Sequence, residues 1–130
     1  MREPILIVDD NAVNLKLARV LLAADGYDVR TAQDADQALA ALASCKPALI
    51  LMDIQLPGMD GLTLTRKLKQ DRATRDIVVV AMTAYAMKGD YERAIAAGCD
   101  GYVTKPIDTR ALAHVIAGFL TGRKTAASVQ

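Results

Sequence analysis

At 130 residues and 13.9 kDa the chain has the length of one domain, on a prior of roughly 100–200 residues each, which excludes a catalytic module joined to a separate DNA-binding module. Its 52% apolar content is enough to bury a core without a disulfide staple. A formal charge of +1 and only five aromatic residues (Tyr27, Tyr85, Tyr91, Tyr102, Phe119) supply neither a field nor a stacking platform for direct nucleic-acid binding.

The first apolar run, Pro4 to Val8, reads as a strand. It is stopped at once by Asp9-Asp10, so it matches neither a signal peptide nor the roughly 20 residues of a membrane span. The protein is therefore expected to be soluble and cytoplasmic. Asn11 is a suitable N-cap for a helix with Val13, Leu17, Val20, Leu21 and Ala24 on one face, ended by Gly26. Leu15, Ala18 and Leu22 form a second apolar stripe, expected to be partly buried surface or a docking face for a partner's helix. Tyr27 to Ala32 alternates apolar and charged residues, which suits an edge strand or one with a wetter face.

A second helix is expected from about Asp34 to Ser44 with Ala35, Ala38, Leu39 and Leu42 inward. Ala48 to Met52 follows as a third strand. Pro57-Gly58 and Asp60-Gly61 read as turn chemistry, and Leu62 to Gln70 as a helix carrying Leu64 and Leu68. Ile77 to Met82 is a fourth strand. Lys88 to Ala97 is a helix with Tyr91, Ala94 and Ile95, stopped by Gly98. Gly101 to Thr104 is a short fifth strand. Asp108 can cap a last helix bearing Leu112, Val115, Ile116 and Phe119, and residues 122–130 read as a flexible tail after a domain of residues 1–121. Cys45 and Cys99 lie too far apart in sequence for a metal or redox pair and read as buried free thiols.

Strands alternating with helices imply a doubly wound α/β domain built on a five-stranded parallel sheet with five helices. Ligands of such sheets bind beyond the carboxyl ends of the strands. Here those ends carry Asp9-Asp10, Asp53, Thr83 and Lys105-Pro106. Three carboxylates close together repel unless a cation neutralises them. Magnesium suits all-oxygen ligands, and Asp10, Asp53 and the backbone carbonyl of Gln55 could supply them. No glycine-rich phosphate loop follows the first strand, and the only histidine, His114, falls mid-helix, so a bound nucleotide and a Ser-His catalytic pair are both excluded. What remains is Asp53 as a nucleophile toward phosphorus, with a metal, a lysine and a threonine to hold oxygen charge.

The segments Ile5-Leu6-Ile7-Val8-Asp9-Asp10-Asn11, Leu51 to Gly61, Met82-Thr83-Ala84 and Lys105-Pro106-Ile107 resemble, in order and spacing, the receiver domain of two-component response regulators. The resemblance runs from about Pro4 to Leu120. It implies a flavodoxin-like sheet of strand order 2-1-3-4-5. It also implies that Asp53 accepts a phosphoryl group from a histidine kinase or histidine phosphotransfer protein, with Asp9, Asp10, Asp53 and the Gln55 carbonyl holding Mg²⁺. Thr83 and Lys105 would contact phosphoryl oxygens, Thr83 and Tyr102 would switch, and Gln55 and Tyr85 would tune phosphate lifetime. The switched surface would be that of the fourth helix, fifth strand and fifth helix, presented to a downstream protein by a monomer or a phosphorylation-dependent homodimer.

The stretches 82–90 and 96–102 are similar to single-domain DivK-like regulators and to receivers of hybrid kinases, in a bacterial phosphorelay. The expected protein is a signalling switch that catalyses only its own phosphorylation and dephosphorylation. Its alternatives are a phosphate-independent interaction module and a receiver fragment of a hybrid histidine kinase, although Met1 so near the first strand suits a natural start. A phosphatase of the haloacid dehalogenase type would need a second aspartate two positions after the nucleophile, where Gln55 stands.

Overall fold

The structure is a computed structural model that describes residues 4–54, 56, 58–83, 88–104 and 112–122. Five strands and five helices alternate as β1 (Pro4–Val8), α1 (Ala12–Ala24), β2 (Asp28–Ala32), α2 (Ala35–Ser44), β3 (Leu49–Asp53), α3 (Gly61–Gln70), β4 (Val78–Thr83), α4 (Lys88–Ala97), β5 (Gly101–Thr104) and α5 (Leu112–Gly122). All pairings are parallel and the sheet order is β2-β1-β3-β4-β5, as the family resemblance implies. α5 includes Gly122, one residue past the expected domain end. The proposed N-cap Asp108 and residues 123–130 lie outside the described residues.

The uninterrupted apolar runs follow from a sheet covered on both faces. Successive side chains alternate between faces. Ile5, Ile7, Leu49, Leu51, Val78 and Val80 therefore pack with α1 and α5 through Leu15, Ala18, Leu22, Leu112 and Ile116. Leu6, Val8, Ile50, Met52, Val79 and Ala81 pack with α2, α3 and α4 through Ala35, Ala38, Leu64, Leu68 and Ala94. β2 lies at the sheet edge with Arg30 and Thr31 exposed, which accounts for its mixed pattern.

Three helix faces differ from expectation. In α1 the buried stripe is Leu15, Ala18 and Leu22, whereas Val13 is 74% and Val20 52% exposed and Leu17 also faces solvent. Leu15 and Leu22 therefore cannot offer a docking face. In α2 Leu39 is exposed while Ala35 and Ala38 touch the sheet, and in α4 Tyr91 and Ile95 are exposed while Ala94 and Ala97 are buried. In each helix an alanine, Ala18, Ala38 or Ala94, sits at the contact. The small side chain lets the helix axis approach the sheet closely, and larger apolar neighbours are turned outward. His114 is exposed on α5, Cys45 is half-buried rather than buried, and Cys99 is a buried free thiol.

Candidate functional site

The carboxyl ends of the central strands bring together the acidic residues expected there. Asp53 is the last residue of β3 and pairs with Met82 of β4, and Asp9 directly follows β1. Because Asp9 continues the Ile5-Ile7 series and Asp53 the Leu49-Leu51 series, the two carboxylates leave neighbouring strands on the same side of the sheet. Asp9 adds one more rung beside β2, its N–H donating to the Ala32 carbonyl at 3.0 Å. Asp9 is fully buried and Asp53 is 2% exposed, while Asp10 reaches solvent.

One carboxylate oxygen from each of Asp9, Asp10 and Asp53 lies within 4.8 Å of the others. That donor set is all oxygen and carries three formal negative charges, which is the chemistry a hard divalent cation such as magnesium requires. A soft or nitrogen-preferring metal finds no Cys or His in the cluster. Two helices start next to the strand ends that carry these carboxylates. α1 starts at its cap Asn11, whose side-chain oxygen accepts from the Val13 and Asn14 N–H groups at 2.9 and 3.1 Å. α3 starts at Gly61, whose N–H donates to the Ile54 carbonyl at 2.8 Å. The α1 start is tied to the cluster, because the Asn11 N–H donates to Asp9 Oδ1 at 2.9 Å, whereas the α3 start meets the main chain of Asp53 and Ile54.

Two contributors were not identified from sequence. The backbone N–H of Asn11, read there only as a cap, also donates to Asp9 Oδ1 at 2.9 Å and so orients a carboxylate of the cluster. Gly61, read as turn chemistry, is the first residue of α3, and Asp60 is its N-cap, accepting from the Thr63 N–H at 2.8 Å. A Cβ on Gly61 would overlap the Asp53 carbonyl oxygen. Its sequence signal was a glycine opening a helix, a position that favours almost any other residue unless another backbone comes close.

Thr83 ends β4 and pairs with Thr104 of β5, with its backbone described and its side chain not. Lys105, next in the chain, lies outside the described residues, as do Gln55, Ala84 and Tyr85. Tyr102 of β5 is half-buried against the α2–α3–α4 core and meets Tyr91 edge-on, ring centroids 5.6 Å apart at 89°. No helix among the described residues is long and apolar enough to cross a membrane.

The family model described as the response regulator receiver domain matches residues 5–117. The polar-differentiation response regulator DivK of Brucella anthropi is 43% identical over 120 residues, which cover 92% of this chain and 98% of the relative. Two solved structures share the fold across nearly their whole length. The signal receiver domain of a signal transduction histidine kinase from Syntrophus aciditrophicus superposes with a TM-score of 0.85 at 30% identity, covering 99% of this chain and 98% of that one. A CheY-like response regulator receiver domain protein from Methanospirillum hungatei gives 0.86 at 31% identity, covering 96% and 98%.

Proposed function

The chain belongs to the response regulator receiver domain family, and we propose on that premise that Asp53 accepts a phosphoryl group from phosphohistidine and so switches a protein-binding surface. The supporting observation is the acidic cluster itself, with Asp9 and Asp53 buried and Asp10 at the rim of one strand-end pocket. Receiver domains bind Mg²⁺ in such a pocket. In this chain Asp9, Asp10, Asp53 and the Gln55 carbonyl would hold the ion, and bound there it would offset oxygen charge during transfer.

Asp53 supplies the nucleophile. One of its carboxylate oxygens forms a bond to phosphorus as the phosphorus–nitrogen bond of the donor breaks, and the bonding pair stays on the imidazole nitrogen, which takes a proton. Asn11 keeps Asp9 aimed through its backbone N–H. The Thr83 hydroxyl and the Lys105 ammonium take phosphoryl oxygens, and Gln55 and Tyr85 set how readily water returns the acyl phosphate to carboxylate. Rearrangement around Thr83 and Tyr102 then biases the surface of α4, β5 and α5 toward a downstream partner, as a population shift. The activity is confined to the protein's own phosphorylation and dephosphorylation.

The donor would rest on α1. Its exposed stripe of Val13, Leu17 and Val20 starts two residues beyond the Asn11 cap and three after Asp10 in the chain. Val13→Ser with Leu17→Ser should slow transfer from a phosphorylated histidine phosphotransfer protein and leave transfer from acetyl phosphate unchanged. Equal slowing of both would refute the docking role.

The deciding experiment is intact mass after incubation with Mg²⁺ and acetyl phosphate or a phosphorylated histidine phosphotransfer protein. A labile single-phosphoryl adduct that disappears in Asp53→Asn and in EDTA is expected. A folded wild type that forms no adduct with either donor would replace the reading with a phosphate-independent interaction module.

A further inference from the structure

Of the glycines whose added Cβ would collide with the protein, Gly98 and Gly101 meet side chains, those of Lys69 and Phe119. Side chains can turn away. Gly61 meets main chain: its Cβ would overlap the Asp53 carbonyl oxygen and stand 3.0 Å from both the Asp53 carbonyl carbon and the Ile54 Cα. Nor does glycine serve here to reach a left-handed conformation, since the positive φ values belong to Gly26, Gly58 and Gly98. The requirement at position 61 is space.

That space is pinned on every side. The Ile54 N–H donates to the Met82 carbonyl of β4 at 3.0 Å, so the Asp53–Ile54 peptide cannot retreat from α3 without breaking a sheet bond. The Gly61 N–H donates to the Ile54 carbonyl at 2.8 Å, which ties the helix start to the strand exit. The Gly61 carbonyl in turn accepts from Thr65 Oγ1 at 2.8 Å, and Thr65 is fully buried. A buried hydroxyl bonding back four residues fixes the height of the first turn. The turn cannot lift away from β3 without leaving that hydroxyl without its acceptor.

We infer that the first turn of α3, through the missing Cβ of Gly61 and the buried hydroxyl of Thr65, positions the main chain that carries Asp53, making both of them positioning residues for the acidic cluster. The inference rests on the phosphoacceptor reading and deepens it. Catalytic and metal-binding groups must be held to within about 0.5 Å of their working geometry. A methyl group driven into the Asp53 carbonyl cannot be accommodated within that margin unless α3 moves as a whole.

The test compares Gly61→Ala with Gly101→Ala, which places an equal methyl group at the start of β5, the opposite end of the sheet. Both variants are followed by metal-free thermal unfolding, by Mg²⁺ titration of amide NMR shifts, and by the rate of adduct formation with acetyl phosphate. Gly61→Ala should lose about tenfold or more in Mg²⁺ affinity and about a hundredfold in phosphorylation rate. Gly101→Ala should lose stability only. A folded Gly61→Ala with wild-type affinity and rate overturns the inference, as does an equal loss of affinity in Gly101→Ala. Should Gly61→Ala fail to fold, Thr65→Val decides: weakened Mg²⁺ binding supports the positioning role and wild-type binding overturns it. A wild type that binds Mg²⁺ but forms no adduct would fail the phosphoacceptor reading instead, and the Mg²⁺ titrations would still decide the role of the α3 turn.

Discussion

The two ends of the sheet treat charge in opposite ways. At the amino end, Lys69 of α3 donates to the Arg75 and Ile77 carbonyls at 3.2 and 2.7 Å and to Asp100 Oδ2 at 3.0 Å. The same Asp100 oxygen accepts from the Val79 N–H at 2.9 Å, and Thr74 Oγ1 donates to the Leu68 carbonyl at 2.7 Å. One cation and one anion thus tie the end of α3 to the starts of β4 and β5. At the carboxyl end, three residues of like charge meet and two of them are buried. Matched charges fasten the amino end, while the carboxyl end gathers carboxylates whose mutual repulsion a bound cation would relieve.

The sharpest way to break this contrast is to remove one charge from the carboxyl end. Asp9→Asn should lower Mg²⁺ affinity by about a hundredfold while making the metal-free protein more stable by about 1 kcal/mol, because a like charge is gone. Titration with Mg²⁺ and urea unfolding in EDTA measure the two effects, and their opposite signs are the diagnostic. Loss of stability in EDTA would mean that the cluster is not repulsive.

The same operation at the amino end should give the reverse. Lys69→Met removes three hydrogen bonds from one ammonium, and should cost about 2 kcal/mol in urea unfolding with Mg²⁺ affinity unchanged. The pair is partly exposed, so water can rehydrate Asp100 and the loss stays below that of a fully buried ion pair.

Cys99 adds a pH dependence to this end. Burial, with a smaller contribution from the Asp100 charge, pushes its thiol from an ordinary 9.0 up to about 11, against a smaller lowering effect of the neighbouring Thr65 side chain. The folded value lies above the unfolded one. The associated stability is therefore fully present below about pH 9 and is lost as pH rises toward 11. Two pH units correspond to at most about 2–3 kcal/mol. Cys99→Ala should flatten the decline in urea stability between those limits relative to wild type. Iodoacetamide at neutral pH should label half-buried Cys45 well before Cys99.

The contrast between the ends was only half legible in the sequence. Strand interiors and strand-end carboxylates are local facts, so the sheet, Asp9, Asp10 and Asp53 could be read directly. The contribution of Gly61 and the second bond of Asn11 are backbone relations between segments distant or folded back in sequence, and residue type alone does not display them. The matched pair Lys69 and Asp100 is separated by 31 positions and had no motif to announce it. Helix phase failed for another reason. In α1 both apolar stripes satisfy helical spacing, and at about 100° per residue Lys16 and Arg19 fall between them, so the polar residues do not choose a side. Ala18 decides it in the folded protein, by allowing the closer approach to the sheet.

The smallest expected effect tests that last point. Val13→Ser, on the exposed stripe, should change urea stability by less than about 0.5 kcal/mol, as surface substitutions do. Leu15→Ala, two positions away on the stripe that meets the Ile5 and Ile7 face, should cost about 2–4 kcal/mol, since it removes buried apolar volume beside Ala18 and Leu22. Apolar character is nearly the same at the two sites, so only burial separates them. Equal costs would mean that α1 is seated on the sheet by its other face. The exposed stripe proposed to receive a phosphodonor would then be core, and the carboxyl end of the sheet would have to be approached from another side.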